Sequence, residues 1–185
     1  SAFVKLEAMK GKLSLPHATI EKAAYIYRKV QEMGMIKGRT INAALGASIY
    51  IACREAGITR TLNDIAVISN TSYKELARTY RLIVLNLDLK VPMIDPIKCV
   101  AKLANKLGVS EITKRSAIDY MRAISKSGVS AGKDPMGLAG AVIYLSCRNH
   151  DQPRTQIEVA NAGGVTEVTL RNRTKELSMK IPQLN

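Results

Sequence analysis

Ala47-Ser48-Ile49-Tyr50-Ile51-Ala52-Cys53-Arg54 is an almost unbroken apolar run closed by an arginine, and it returns 94 residues later as Ala141-Val142-Ile143-Tyr144-Leu145-Ser146-Cys147-Arg148. The same offset, without a gap, pairs Gly34, Gly38 and Gly46 with Gly128, Gly132 and Gly140. It also pairs Arg60-Thr61 with Arg154-Thr155, Ala66 with Ala160, and Leu76 with Leu170. Register kept over so long a stretch implies two copies of one unit of about 90 residues. A unit of that size can bury a core of its own.

Outward from these runs, the chain reads as helix after helix. Ile41 to Cys53 is polar only at Asn42 and Ser48, as expected of a helix buried on most sides at the centre of a bundle. Before it, Phe3 to Lys12 reads as a short amphipathic opener, and Pro16 suits a first-turn position. Ile20, Ala23, Tyr27 and Val30 form a stripe of helical period that stops at Gly34. After it, Thr61-x-x-Asp64 resembles a capping box and Ser72-x-x-Glu75 is one by composition; the helix it opens runs to about Leu87.

The second copy follows the same plan. Ile97 to Leu107 opens it, and Ser110 to Lys126 follows, closed by Gly128. Asp134-Pro135 caps the buried helix that ends at Cys147. Thr155-x-x-Glu158 caps the next helix, and Thr166 caps the last, which runs to about Lys180. Pro92 and Pro96 interrupt the chain between copies and place the boundary at residues 1–92 and 93–185. The expected fold is all-α, with five helices in each of two tandem domains.

Lys and Arg number 28 against 15 Asp and Glu, a net charge of +13. The excess is shared by both copies and spread through folded segments, which suggests a polyanion partner. Cys53, Cys99 and Cys147 are far apart in sequence, and the first and last lie inside apolar runs. They read as small buried hydrophobes in a reducing compartment. Without a Cys-x-x-Cys, and with only His17 and His150, no metal site or cofactor is expected. With neither a signal peptide nor a run of about 20 apolar residues, no membrane contact is expected and the protein reads as soluble and intracellular.

Val159 to Arg173 carries the pattern of a helix-turn-helix. Ala160 lets two helices cross closely, Gly164 permits the tight turn, and Val159, Val165 and Leu170 fill the shared core. On the last helix Leu170, Thr174, Leu177 and Ile181 share an inward face, leaving Val168, Arg171, Asn172 and Lys175 outward. A valine beside an arginine near a helix start suits the DNA major groove. The valine can touch a thymine methyl and the guanidinium can grip guanine O6 and N7. The helix start and the hydroxyls of Thr166 and Thr169 suit phosphate. In the first copy, Ile65 to Leu76 keeps this geometry, with Asn70 for the turn glycine, but Tyr73 and Lys74 suit backbone contact rather than base reading. One copy is expected to read bases and the other to grip phosphate.

At Gly38-Arg39-Thr40, Tyr50-Ile51-Ala52-Cys53-Arg54, Arg60-Thr61-Leu62-Asn63-Asp64-Ile65-Ala66 and Gly164 to Arg173 the sequence resembles the core of transcription factor IIB, most closely its archaeal form. The likeness covers essentially the whole chain. It implies two cyclin-like domains that bind promoter double-stranded DNA together with the TATA-binding protein. The second domain's helix-turn-helix would read an element just upstream of the TATA box, orienting assembly of the preinitiation complex. The family's base-reading pair falls on Val168 and Arg171. Its phosphate contacts fall on Arg154, Thr166, Thr169 and Arg173, with Asn172 and Arg60 expected to join them at the DNA backbone. Arg54 matches an arginine that meets an acidic loop of the TATA-binding protein, and Arg39 and Lys74 are basic positions expected near that partner or the DNA backbone. For Arg54, a cation near a helix C-terminus is an alternative role. A monomer is expected, on the chromosome of an archaeal cell or in the nucleus of a eukaryotic one.

The full-length factors of that family begin with a zinc ribbon that engages RNA polymerase. This chain has no cysteines for one, so a core fragment is expected, with polymerase contact made mainly through an N-terminal region outside it. A cyclin-type kinase-binding module and a related initiation factor of the small-RNA polymerase are the alternatives. Enzymatic function is not expected: the sequence has no Gly-x-x-x-x-Gly-Lys-Ser/Thr loop.

Overall fold

A computed structural model describes residues 1–184 of the chain. Among them there are ten α-helices and no strand. They form two compact units, Ser1–Met93 and a second beginning at Ile94, each with its own hydrophobic core. The first holds α1 (Ala2–Leu13), α2 (His17–Glu32), α3 (Ile41–Glu55), α4 (Leu62–Ile68) and α5 (Tyr73–Asn86). The second holds α6 (Pro96–Leu107), α7 (Glu111–Ser127), α8 (Pro135–Asn149), α9 (Gln156–Gly163) and α10 (Glu167–Lys180), followed by a 3₁₀ turn at Pro182–Leu184.

The two apolar runs are the hubs. Every residue of α3 from Ala43 to Cys53 is buried, and so is every residue of α8 from Met136 to Cys147 except Tyr144. Helices α2 and α5 pack on α3, and α6, α7, α9 and α10 pack on α8. All three cysteines are buried and reduced.

Contacts that recur in both units explain the repeated pairs Gly46/Gly140, Leu76/Leu170 and Arg60/Arg154. A Cβ on Gly46 would lie 3.0 Å from Leu76 Cδ1, and one on Gly140 would lie 2.9 Å from Leu170 Cδ1. Each glycine therefore lets the last helix of its unit settle against the central one. Arg60 donates from Nη2 to the Leu13 carbonyl at 2.6 Å, and Arg154 does the same to Leu107 at 3.3 Å. Each satisfies a carbonyl left open at the C-terminus of its unit's first helix. Arg39 donates to the Met35 carbonyl at 3.0 Å, and its counterpart Lys133 donates to Val129.

Two local expectations need correction. The reciprocal capping box in the first unit is Thr61/Asp64, whose side chains each accept from the other's backbone N–H. At Ser72 only half the motif forms: the hydroxyl accepts from the Glu75 N–H, but the Glu75 carboxylate accepts from Thr40 Oγ1 at 2.9 Å. A tertiary donor competes successfully for that carboxylate, and composition could not show it. Pro16 lies one place earlier than a first-turn proline, at the cap of α2. The second copy's box, Thr155/Glu158, is reciprocal, and its hydrogen bonds hold the Glu158 carboxyl below its usual range.

Candidate nucleic-acid interface

Thr155 and Thr166 open α9 and α10 by accepting from backbone N–H groups of their first turns, and Gly164 makes the turn between them at φ 63°. Asn70 takes the same left-handed conformation, φ 50°, in the first unit. Val159, Ala160, Leu170, Thr174 and Leu177 are buried, so the inner face of α10 is fixed against α8 and α9. Ile181 lies just past the helix and packs at the margin of the same core.

The outer face stands free of that core. Val168 is 61% exposed and the Arg171 side chain 59%, with Asn172 and Lys175 beside them in solvent. The valine and arginine are three residues apart and so lie on neighbouring ridges of one helical surface. Arg171 Nη2 donates to Glu167 Oε1 at 2.7 Å. The Thr166 and Thr169 hydroxyls lie 2.8 Å apart, and Thr166 Oγ1 also accepts from the Thr169 N–H at 3.1 Å.

Arg173 points elsewhere. It donates to Glu176 Oε2 at 2.6 Å, and the same carboxylate receives Lys180 at 2.8 Å and Lys133 at 3.1 Å. The bonds from Lys180, Lys133 and Arg173 pull the Glu176 carboxyl down to about 2, against the opposing effect of partial burial. This cluster ties the loop before α8 to the middle of α10. Arg60 and Arg154, expected at the DNA backbone, spend one donor each on helix-end carbonyls.

The matching surface of the first unit has different chemistry. Lys37, Arg39, Lys74 and Arg78 surround a cavity of about 360 Å³ at the start of α5, with Ser72, Glu75 and Thr79 completing its wall. Lys37, Lys74 and Arg78 are exposed, and the one carboxylate there is engaged by Thr40. Lys37 and Arg78 were missed in the sequence, although Arg78 follows Lys74 by four residues and must share its helix face. At the 94-residue offset, Lys37, Lys74 and Arg78 become Ala131, Val168 and Asn172. One copy thus presents a cradle of cations and the other a mixed apolar and hydrogen-bonding face.

Arg54, at the last turn of α3, donates to the Tyr50 hydroxyl at 3.3 Å and to the Pro92 carbonyl, with its guanidinium 5.6 Å from the Tyr50 ring centre. Burial raises the Tyr50 phenol above its usual range, against the opposing pull of Arg54. Arg54 and Arg39 therefore lie at different places on the first unit's surface, the latter on the cation cradle. Among the described residues no group of His, Cys, Asp and Glu could hold a metal ion, and no helix is long and apolar enough to cross a membrane.

The family model described as "Transcription factor TFIIB repeat" matches residues 1–86 and 89–180. Over 180 residues, 97% of the chain, it is 46% identical to a transcription initiation factor IIB of Sulfurisphaera tokodaii, of which it covers 58%. It is 44% identical to a namesake in Saccharolobus shibatae, covering 97% of the chain and 59% of that protein. A third, in Pyrodictium occultum, is 44% identical over 91% of the chain and 54% of its own length. The chain thus spans somewhat over half the length of these relatives.

Proposed function

We propose that this chain, which belongs to the transcription factor TFIIB repeat family, is the core of a general transcription initiation factor that seats on promoter DNA with the TATA-binding protein. Its task is to read the element upstream of the TATA box and so fix the direction of assembly. The observation that carries the reading is the pair Val168 and Arg171, side by side in solvent at the start of α10 while the helix's other face is locked into the core.

The division of labour follows from the chemistry of the two copies. The second unit supplies base readers: the Val168 methyls for a thymine methyl, the Arg171 fork for guanine. The cations Lys37, Lys74 and Arg78 of the first unit supply attraction to phosphate that is blind to sequence. Thr166, Thr169 and Asn172 line the start of α10, where a phosphate oxygen would also meet the positive end of the helix dipole. Arg39, Arg60, Arg154 and Arg173 each hold part of these surfaces in shape through carbonyl or carboxylate bonds, and keep their remaining N–H donors for DNA backbone or, at Arg39, for the TATA-binding protein. Arg54, at the edge of α3, is the contact to the TATA-binding protein, an acidic loop of which would compete for the guanidinium that now holds Tyr50 and Pro92. RNA polymerase engages the assembled complex mainly through protein outside this chain, and no catalytic step is assigned.

The test is a gel shift with the TATA-binding protein and duplexes carrying varied sequence upstream of a TATA box. Binding should require both partners and depend on the upstream bases. Arg171→Ala should remove preference at one base pair, worth about 1–3 kcal/mol, without disturbing the fold. Equal weakening on every upstream sequence, or binding to a protein kinase in place of DNA, would overturn the assignment.

A further inference from the structure

We infer that Glu167 is a positioning residue for Arg171, orienting the guanidinium for a base edge and turning it away from phosphate; this rests on the DNA-reading role proposed above. Glu167 Oε1 lies 2.7 Å from Arg171 Nη2, with the two side chains 40% and 59% exposed. An ion pair this exposed contributes little to stability, so holding the fold together does not account for it. Nor is it part of the repeated scaffold. At the 94-residue offset its members are Tyr73 and Ala77, whereas the Arg60/Arg154 bonds and the Gly46/Gly140 approaches recur in both copies.

The geometry favours the pair forming before any DNA arrives. Glutamate preceding arginine by four residues is the better order on a helix, and a carboxylate in the first turn is stabilised by the helix dipole. The bond occupies one of Arg171's five N–H donors. Enough remain for a two-pronged contact to guanine O6 and N7, and the guanidinium plane is already held, which lowers the ordering cost of binding.

The charge of Glu167 then separates two kinds of acceptor. Guanine O6 and N7 are neutral, so the neighbouring carboxylate costs them little. A phosphate brought to the same guanidinium would sit close to a like charge, and that repulsion disfavours the register in which Arg171 merely grips backbone. Glu167 thereby acts as the repulsive element of a specific site, and Arg171 as the attractive one.

The experiment uses the chain with the TATA-binding protein and a library of duplexes randomised upstream of a TATA box, with the bound fraction sequenced. The base pair whose preference disappears in Arg171→Ala identifies the position Arg171 reads. At that position Glu167→Gln should lower the preference about three- to tenfold while raising affinity for mismatched duplexes. Glu167→Asp, which keeps the charge but shortens the reach, should lower the preference without strengthening mismatched binding. In an Arg171→Ala background, Glu167→Gln should leave the base preferences unchanged. Preference retained at that position in Glu167→Gln, or a change of preference that persists without Arg171, overturns the positioning role while leaving the reading by Arg171 intact. A wild-type chain with no upstream preference at all overturns both.

Discussion

Replacing Gly140 by alanine puts a single methyl group into the contact that seats α10 on α8. The new Cβ would lie 2.9 Å from Leu170 Cδ1, 3.5 Å from Val159 Cγ1 and 3.9 Å from Leu103 Cδ2. All three partners are almost wholly buried, so none can retreat into solvent. In an open helix the substitution would gain up to about 1 kcal/mol of helix propensity. Overpacking a closed core costs about 1–3 kcal/mol, so the net expectation is a loss of about 1 kcal/mol. Gly11→Ala is the control, because nothing lies within 4 Å of a Cβ built there. That variant should gain roughly 0.5–1 kcal/mol. Urea unfolding of the two variants would show opposite signs for the same chemical change. Because Leu170 is on the helix that carries Val168 and Arg171, Gly140→Ala should also blunt base preference more than overall DNA affinity. If Gly140→Ala were as stabilising as Gly11→Ala, with base preference intact, the close approach would not be what this glycine is for.

The carboxylate of Glu176 makes a pH-dependent contribution. Its folded value of about 2 lies below the unfolded one of about 4.3, so its stabilisation is present above the unfolded value. It is lost as pH falls from about 4.3 through 2, and amounts to at most about 3 kcal/mol. Glu176→Gln should remove that part of the pH dependence, read as a shrinking gap in Tm between wild type and variant as pH is lowered from 6 to 3; a constant gap would deny the cluster its role. In the first unit, Lys74→Ala should weaken binding equally on all promoter sequences and lower the salt dependence of log K by about one unit, with Arg78→Ala adding a similar decrement. An unchanged salt slope would remove these cations from the phosphate set.

Much of this molecule was legible because its strongest signals are local and duplicated. The apolar runs 41–53 and 135–147 could only be central helices, and prolines and cap residues marked most boundaries. Val168 and Arg171 were placed outward by helical period alone, and they stand in solvent. The capping boxes show where such reasoning ends: Thr61/Asp64 closes as a box and Ser72/Glu75 does not, since a threonine 35 residues away takes the Glu75 carboxylate. The cation cradle was half seen, through Arg39 and Lys74, because the loop pair Lys37 and Arg39 meets the helix pair Lys74 and Arg78 only in the folded unit.

A basic residue in a sequence carries no mark of whether its charge will be spent inside or offered outside. The repeat, the helical periods and the excess of cations fixed an all-helical pair of modules suited to a polyanion, because these depend on patterns within a few turns of chain. How the arginines are oriented was settled by packing. Arg60, Arg154, Arg39 and Arg173 each commit one or two of their five N–H donors to carbonyls or a carboxylate brought near them by the fold, while Lys37, Lys74 and Arg78 face outward. Charge is a property of the residue, but its use depends on which acceptors the folded chain brings within about 3 Å of it.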